Sequence, residues 1–341
     1  MSALLEREDG AARMAAALYG AAVRAHDAAW RWRRPWRAPV PVVSVGNLAV
    51  GGTGKTPMVI HLASALAANG WRPAILSRGH GRKGGGPVVL APGAPAPGAD
   101  VAGDEPVEMF EALGTVPVLV DADRRRSARR AVAEFGADLL LLDDGFQHRP
   151  LARTIDIVLL DADRPFANHR LLPAGPLREP PEALARAGMV VLTRADQAHD
   201  LAASRGSVAT FAPGAWVGTA VHRGGALTPL GGPWSVAPPT DVVAVCGIAR
   251  PDTFLAGLEA MGRRPADVLL FGDHHRFDAG DERRVRAMAG GRGIVTTAKD
   301  AVRWREVPGF DPAGWWIQPV RLEPDAGLVP EVERRLSADR K

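Results

Sequence analysis

Short apolar runs recur along the chain from residue 40, at residues 40–45, 74–76, 116–120, 139–142, 155–160 and 189–192, separated by Gly-rich turns and helically spaced segments. The runs are mainly apolar throughout rather than alternating. That pattern predicts strands buried on both faces, a parallel sheet with helices covering each side. Between residues 210 and 236 the chain turns rich in Gly and Pro, and residues 217–221 and 226–230 flank Arg223-Gly224-Gly225 as the arms of a predicted hairpin. A domain junction is expected there. A second alternating section follows, with candidate strands at residues 242–246, 268–271, 293–297 and 315–320, so both halves read as α/β.

The first segment has a different pattern. An uncharged decad at residues 14–23 leads into Trp30, Trp32 and Trp36, interleaved with Arg31, Arg33, Arg34 and Arg37, and predicts a helix that stops near Pro35. Ten residues fall short of the ~18–20 apolar residues needed to cross a bilayer. Indole rings alternating with guanidinium groups suit headgroup depth at a membrane surface. Packing on the protein's own core is the other reading.

Composition narrows the partners and the compartment. A chain of 341 residues is long enough for two domains, and 46% hydrophobic with 23% charged residues is ordinary for a globular protein. The formal charge of +4 favours an anionic partner without choosing among phosphate esters, acidic membranes and nucleic acid. The lone Cys246 excludes an internal disulfide or a thiolate metal cluster and fits a reducing compartment. Glu6, Arg7, Glu8 and Asp9 are not the start of a signal peptide, so the chain is expected to be neither exported nor membrane-spanning.

The chemistry begins at Gly51-Gly52-Thr53-Gly54-Lys55-Thr56-Pro57, set between a strand and a helical pattern that runs to Asn69 and stops at Gly70. Glycines let backbone N–H groups approach a phosphate, the helix N-terminus adds positive potential, Lys55 reaches the β- and γ-phosphates and the Thr56 hydroxyl suits Mg²⁺. Ala49 stands where the first glycine of the strict pattern would be. Leu139-Leu140-Leu141-Leu142-Asp143-Asp144-Gly145 is an apolar strand ending in two acids, the place where such proteins hold Mg²⁺. On a strand the two would face opposite ways and act differently.

A proton acceptor is offered by Gly103-Asp104-Glu105-Pro106 or by Asp273-His274-His275, each of which also reads as a helix cap or a solvated turn. Arg78 follows the second strand and suits phosphate, whereas the Arg124–Arg126 run also reads as a solvated helix face.

Taken in order, these motifs, with Val45-Gly46-Asn47-Leu48, Ser77-Arg78-Gly79, Asp143-Asp144-Gly145-Phe146-Gln147-His148, Leu171-Leu172-Pro173-Ala174-Gly175-Pro176-Leu177-Arg178-Glu179 and Thr297-Ala298-Lys299-Asp300-Ala301-Val302, resemble the tetraacyldisaccharide 4'-kinase family. The resemblance implies two α/β/α sandwich domains joined by a small β linker, the first a P-loop NTPase-like parallel sheet. It also implies ATP and Mg²⁺, and γ-phosphoryl transfer to the 4'-hydroxyl of lipid A disaccharide 1-phosphate. On the matching positions, Gly51 to Thr56 would bind nucleotide, Thr56, Asp143 and Asp144 would serve the metal, Asp104 would be the base with His274 rather than His275 as its partner, and Glu179 would be a further acid.

The expected organisation is a membrane-surface helix (1–36), a P-loop nucleotide-binding and catalytic domain (37–212), a β-hairpin linker (213–236) and a C-terminal α/β domain (237–341), peripheral on the cytoplasmic face of a bacterial inner membrane. No nucleic acid and no obligate protein partner are expected. The rival is a P-loop GTPase or metallochaperone-type ATPase acting on a protein partner, since Thr193-Arg194-Ala195-Asp196 resembles a guanine-reading loop with Arg in place of Lys.

Overall fold

The computed structural model describes residues 10–231 and 237–339. The charged residues 6–9 and part of the expected linker, residues 232–236, lie outside the described residues. The first strands are β1 (Val42–Asn47), β2 (Pro73–Ser77), β3 (Val88–Leu90), β4 (Val118–Val120), β5 (Leu139–Asp143), β6 (Ile155–Asp161), β7 (Met189–Thr193) and β8 (Trp216–Gly224). Then come β9 (Thr228–Pro229), β10 (Val242–Cys246), β11 (Asp267–Leu270), β12 (Gly293–Thr297), β13 (Trp315–Gln318) and β14 (Val320–Pro324). The helices are α1 (Gly10–Arg31), α2 (Lys55–Ala68), α3 (Ala99–Ala102), α4 (Asp104–Leu113), α5 (Arg124–Phe135), α6 (Leu201–Phe211), α7 (Pro251–Ala260), α8 (Ala279–Ala289), α9 (Ala298–Trp304) and α10 (Leu328–Asp339).

One sheet has nine strands in the order β14-β8-β7-β6-β1-β5-β2-β4-β3, and the other has five in the order β11-β10-β12-β13-β9. The pairing is parallel except at β3, β9 and β14. Continuous apolar strands are explained by burial on both faces. Val43, Leu141 and Leu159 pack on one side with Met58 and Leu62 of α2 and Leu328 and Val332 of α10. Leu140 and Leu142 pack on the other with Ala128 and Ala131 of α5, and Val158 and Leu160 with Val208 of α6. Full burial of each such side chain is worth about 1.5–3 kcal/mol, which holds the strand ends, and the loops that leave them, in fixed positions.

The region between the sheets departs from the expected hairpin. β8 pairs with β7 and β14, while β9 pairs with β13, so the two predicted arms lie in different sheets. Leu227 and Leu230 are drawn into the core of the second sheet, and this burial outweighs closing a local turn. The expected strand at residues 315–320 is likewise two strands separated at Pro319, which has no N–H to donate to a ladder. β14 and α10 therefore pack with the first sheet, although they follow the second in the chain.

Candidate active site

The carboxyl ends of the parallel strands of both sheets point their loops at one region, the usual ligand position in open α/β sheets. The phosphate loop follows β1 and enters α2 through Gly54, whose φ of 91° is left-handed backbone and whose Cβ, if present, would lie 2.5 Å from His222 Nε2. Only glycine fits there. The loop is braced by a hydrogen bond from Asn47 Nδ2 to Thr53 Oγ1 at 3.0 Å. The Leu171–Glu179 string lies alongside it: Val50 donates to the Pro176 carbonyl at 2.8 Å and Arg178 N donates to the Leu48 carbonyl at 2.7 Å. That string thus serves as an edge for the loop.

Asp143 ends β5, buried, with Oδ2 accepting from Ser77 Oγ at 2.9 Å and Oδ1 without a partner. Burial, with Glu105 and Asp144 nearby, pushes its carboxyl up to about 7, against the pull of Lys55. Asp144 lies just beyond the strand with φ 48°, so the alternation of a strand does not govern it. Its carboxylate meets Lys55 Nζ at 3.6 Å and accepts from Arg178 Nη1 at 2.9 and 3.0 Å. Burial raises its pKa, but Lys55 and Arg178 outweigh that and hold it low. The two acids thus differ in surroundings because of a backbone turn and different partners.

Asp104 opens α4, held there by a close approach of Gly103, whose φ is 97° and whose Cβ would sit 3.1 Å from Gly79 Cα. Its Oδ2 lies 3.1 Å from His274 Nδ1, 3.9 Å from Arg303 Nε and 4.0 Å from Lys299 Nζ. Burial pushes Asp104 up, but the His274 hydrogen bond and the Lys299 and Arg303 charges bring it down to about 2. Lys299 Nζ also lies 3.2 Å from His274 Nε2, 3.5 Å from Glu105 and 3.9 Å from Asp273. Desolvation alone would lower the lysine pKa, but Glu105, Asp104 and Asp273 raise it. An ammonium has no acceptor, so Nε2 offers its lone pair and the imidazole proton sits on Nδ1, donated to Asp104.

His275 faces Asp281 at 2.8 Å instead, so the geometry brings His274 and not His275 to the candidate base. Glu179 is buried and accepts from Arg186 Nη2 at 2.7 Å, while the Arg186 guanidinium stacks 4.3 Å over Phe146. Arg78 is exposed; burial first, and then the Arg78 charge, lowers the pKa of Arg124, against the pull of Asp143 and Asp144. Arg125 and Arg126 pair with Asp123 and Asp121. Lys299 and Arg303, joined to Asp104 only in the folded chain, had no assigned role in the motif string, although Lys299-Asp300 is part of it. A cavity of about 580 Å³ opens beside Gly51, Gly52 and Thr53 and is lined as well by Ala249 and Arg250 of the second sheet's loops.

The family model described as tetraacyldisaccharide-1-P 4'-kinase, LpxK, matches residues 11–337. A tetraacyldisaccharide 4'-kinase of Anaeromyxobacter dehalogenans is 47% identical over 284 residues, covering 78% of this chain and 73% of its own. That of Halorhodospira halophila is 39% identical over 325 residues, covering 94% and 91%. Among solved structures, LpxK from Aquifex aeolicus, an "apo" form in complex with ATP, superposes with a TM-score of 0.76 at 28% identity, covering 94% of this chain and 97% of the other.

Proposed function

The chain belongs to the tetraacyldisaccharide 4'-kinase family, and from that premise we propose how its residues carry out the phosphoryl transfer. It is an ATP-dependent kinase of lipid A biosynthesis. The acceptor is the 4'-hydroxyl of lipid A disaccharide 1-phosphate. The observation that carries the reading is the meeting of two half-sites: phosphate loop, Asp143, Asp144 and Asp104 from the first unit, His274 and Lys299 from the second.

In this reading the amides of Gly51 to Thr56 and the start of α2 cradle the ATP phosphates, and Lys55 moves from Asp144 to the β/γ oxygens. Asp104 Oδ2 receives the 4'-hydroxyl as a hydrogen-bond donor. The hydroxyl oxygen forms a bond to the γ-phosphorus, the bond from that phosphorus to the bridging β-γ oxygen breaks, ADP leaves and the hydroxyl proton passes to Asp104. A carboxylate with a pKa of about 2 is a weak base, so its main work is orientation, in keeping with a loose transition state in which little proton transfer is needed early.

The residues also fit Mg²⁺. Asp143 Oδ1 is buried without a partner and its carboxyl is pushed up to about 7, the strain that a divalent cation relieves. Among the described residues no group of three or more His, Cys, Asp or Glu forms a metal cage, which suits an ion that takes one or two carboxylates and otherwise waters and substrate phosphates. Thr56, Asp143 and Asp144 would hold it, and when bound it would neutralise charge on the phosphates. Glu179 acts behind the site, fixing Arg186 against Phe146 beside the two acids.

Transfer of labelled γ-phosphate from Mg-ATP to lipid A disaccharide 1-phosphate in detergent micelles tests the function directly. A labelled bisphosphorylated lipid is expected; hydrolysis of ATP without lipid product by folded protein would favour the partner-regulated NTPase. ATP is expected to exceed GTP by more than about tenfold in kcat/KM, because Asp196 is engaged by Arg223 and Arg194 by Asp161 rather than open to a base. Equal use of both would revive the GTPase reading.

We also place α1 on the membrane. One face of this helix packs on the protein, through Tyr19 donating to the Arg178 carbonyl at 3.0 Å and Asp27 paired with Arg149 at 2.5 Å. Another face exposes Met14, Leu18, Ala21, Ala25 and Ala28 in helical register, continuing to Trp32, which is 92% exposed. No described helix is long and apolar enough to cross a membrane, so the helix would lie in the interface, at the cytoplasmic face. Met14→Glu with Leu18→Glu is expected to lower sedimentation with anionic liposomes at least about fivefold with the thermal midpoint unchanged, since both positions are exposed. Undiminished sedimentation would remove this stripe as the anchor.

A further inference from the structure

The loop that resembles a guanine reader does something else with its arginine. Arg194 is buried in a left-handed conformation with φ 57°, at the end of β7. Its Nη1 donates to the Gly52 carbonyl of the phosphate loop at 3.0 Å, and its Nε and Nη2 donate to Asp161 Oδ2 at 3.2 and 2.7 Å. The same carboxylate oxygen receives Arg250 Nη2 at 2.9 Å, and Arg250 belongs to the second unit, at the entry to α7. Asp161 Oδ1 is occupied by the Asp163 N–H at 3.1 Å. One carboxylate at the end of β6 therefore holds two arginines from different α/β units, and one of these holds the backbone of the phosphate loop.

We infer that Arg194, Asp161 and Arg250 form a positioning relay that ties the Gly52–Thr53 peptide of the phosphate loop to the second unit. The inference rests on the reading that this loop receives the ATP phosphates. A glycine-rich loop has little torsional restraint of its own, and a peptide is planar, so an anchor on the Gly52 carbonyl also sets the plane of the following N–H. Arg194 supplies that anchor from a buried position with Nε and Nη2 held by Asp161, so it has few alternative places to point. Arg250 is about half exposed, and with Gly52, Asp161 and Arg194 it lines the cavity, where its guanidinium meets Asp161. A change in how the second unit sits over the nucleotide would thus be felt at Asp161, and through Arg194 at the loop. The Arg250 pair need not contribute much stability, because ion pairs with an exposed partner are weak; its effect is on loop geometry and so on ATP binding.

The test uses the full chain in micelles, with ATP titrated against a saturating lipid acceptor. Arg250→Ala is expected to raise KM for ATP about five- to tenfold, with a much smaller effect on kcat and no loss of thermal midpoint, while Arg250→Lys recovers most of the wild-type value. In an Arg194→Lys background, where the planar fork is lost, Arg250→Ala is expected to add less than about twofold. An unchanged KM in Arg250→Ala would overturn the relay. So would the same fold-increase in both backgrounds, which would mean that Arg250 meets the nucleotide independently of Arg194. The underlying reading fails separately: Lys55→Ala with wild-type KM and turnover would show that the phosphates sit elsewhere, whatever the arginine variants do.

Discussion

Asp104→Asn is expected to lower kcat about 10²- to 10³-fold while KM for ATP stays within about threefold. The amide preserves shape and can still touch His274, but it is too weak a base to take a proton and presents two N–H donors where the carboxylate presents none. The attacking hydroxyl then loses its proton acceptor and its orientation, and Lys299 loses the Asp104 charge while Glu105 and Asp273 remain beside it. Nothing in the change touches the phosphate loop, so ATP binding is spared. Single-turnover transfer with saturating ATP separates the two; wild-type turnover would remove Asp104 as the base.

The same residue makes a pH statement. Its folded pKa, about 2, lies below the ordinary carboxyl value of 3.8, so its contribution to stability is fully present above 3.8 and is lost as pH falls through about 2. The stability difference between wild type and Asp104→Asn should therefore be flat above pH 4 and shrink toward pH 2. A fall in activity near pH 6 is therefore expected to come from a group other than Asp104.

Lys55→Ala is expected to lower kcat/KM about 10³-fold or more, with weaker ATP binding as well as slower transfer. Two effects combine. The β/γ oxygens lose a cation whose side chain is largely buried, and Asp143 and Asp144 lose the positive charge that offsets their mutual repulsion. Asp143 already sits near 7 with Lys55 present, so its removal pushes the carboxyl further toward the neutral form and weakens it as a metal ligand. ATP binding by calorimetry and transfer by product formation should both fall. A variant that binds ATP normally and turns over normally would show that the loop is not the phosphate site.

The two variants differ in a useful way, because one removes orientation of the acceptor and the other removes charge from the donor. A loss confined to kcat in the first and shared between KM and kcat in the second would separate acceptor from nucleotide functions in one assay.

Much of this site is local in origin and was legible in the chain. The continuous apolar runs mark strands buried on both faces because such a run has no polar face to turn to water, and β1, β5, β6 and β7 follow them closely. The phosphate loop is legible because strand, glycines, Lys55, Thr56 and Pro57 are contiguous, and Asn69 and Gly70 stop α2 where a left-handed residue is needed. The acids after β5 and the motif order that resembles the kinase family are equally matters of short spacing.

What the tertiary structure alone decided is which distant pieces meet. Apolar periodicity reports that a strand is buried but not which sheet it joins, so the hairpin expected across Arg223-Gly224-Gly225 gave way to strands in two sheets, and β14 returned to β8. Asp104 and His274 are 170 residues apart, and their 3.1 Å contact depends on two sheets presenting their strand ends to each other. The Lys299 ammonium among three carboxylates and Arg194 holding the Gly52 carbonyl have the same origin. Side-chain chemistry is written along the chain, but the low dielectric and the short distances that set pKa values and hydrogen bonds exist only once the two cores have packed and brought the loops together.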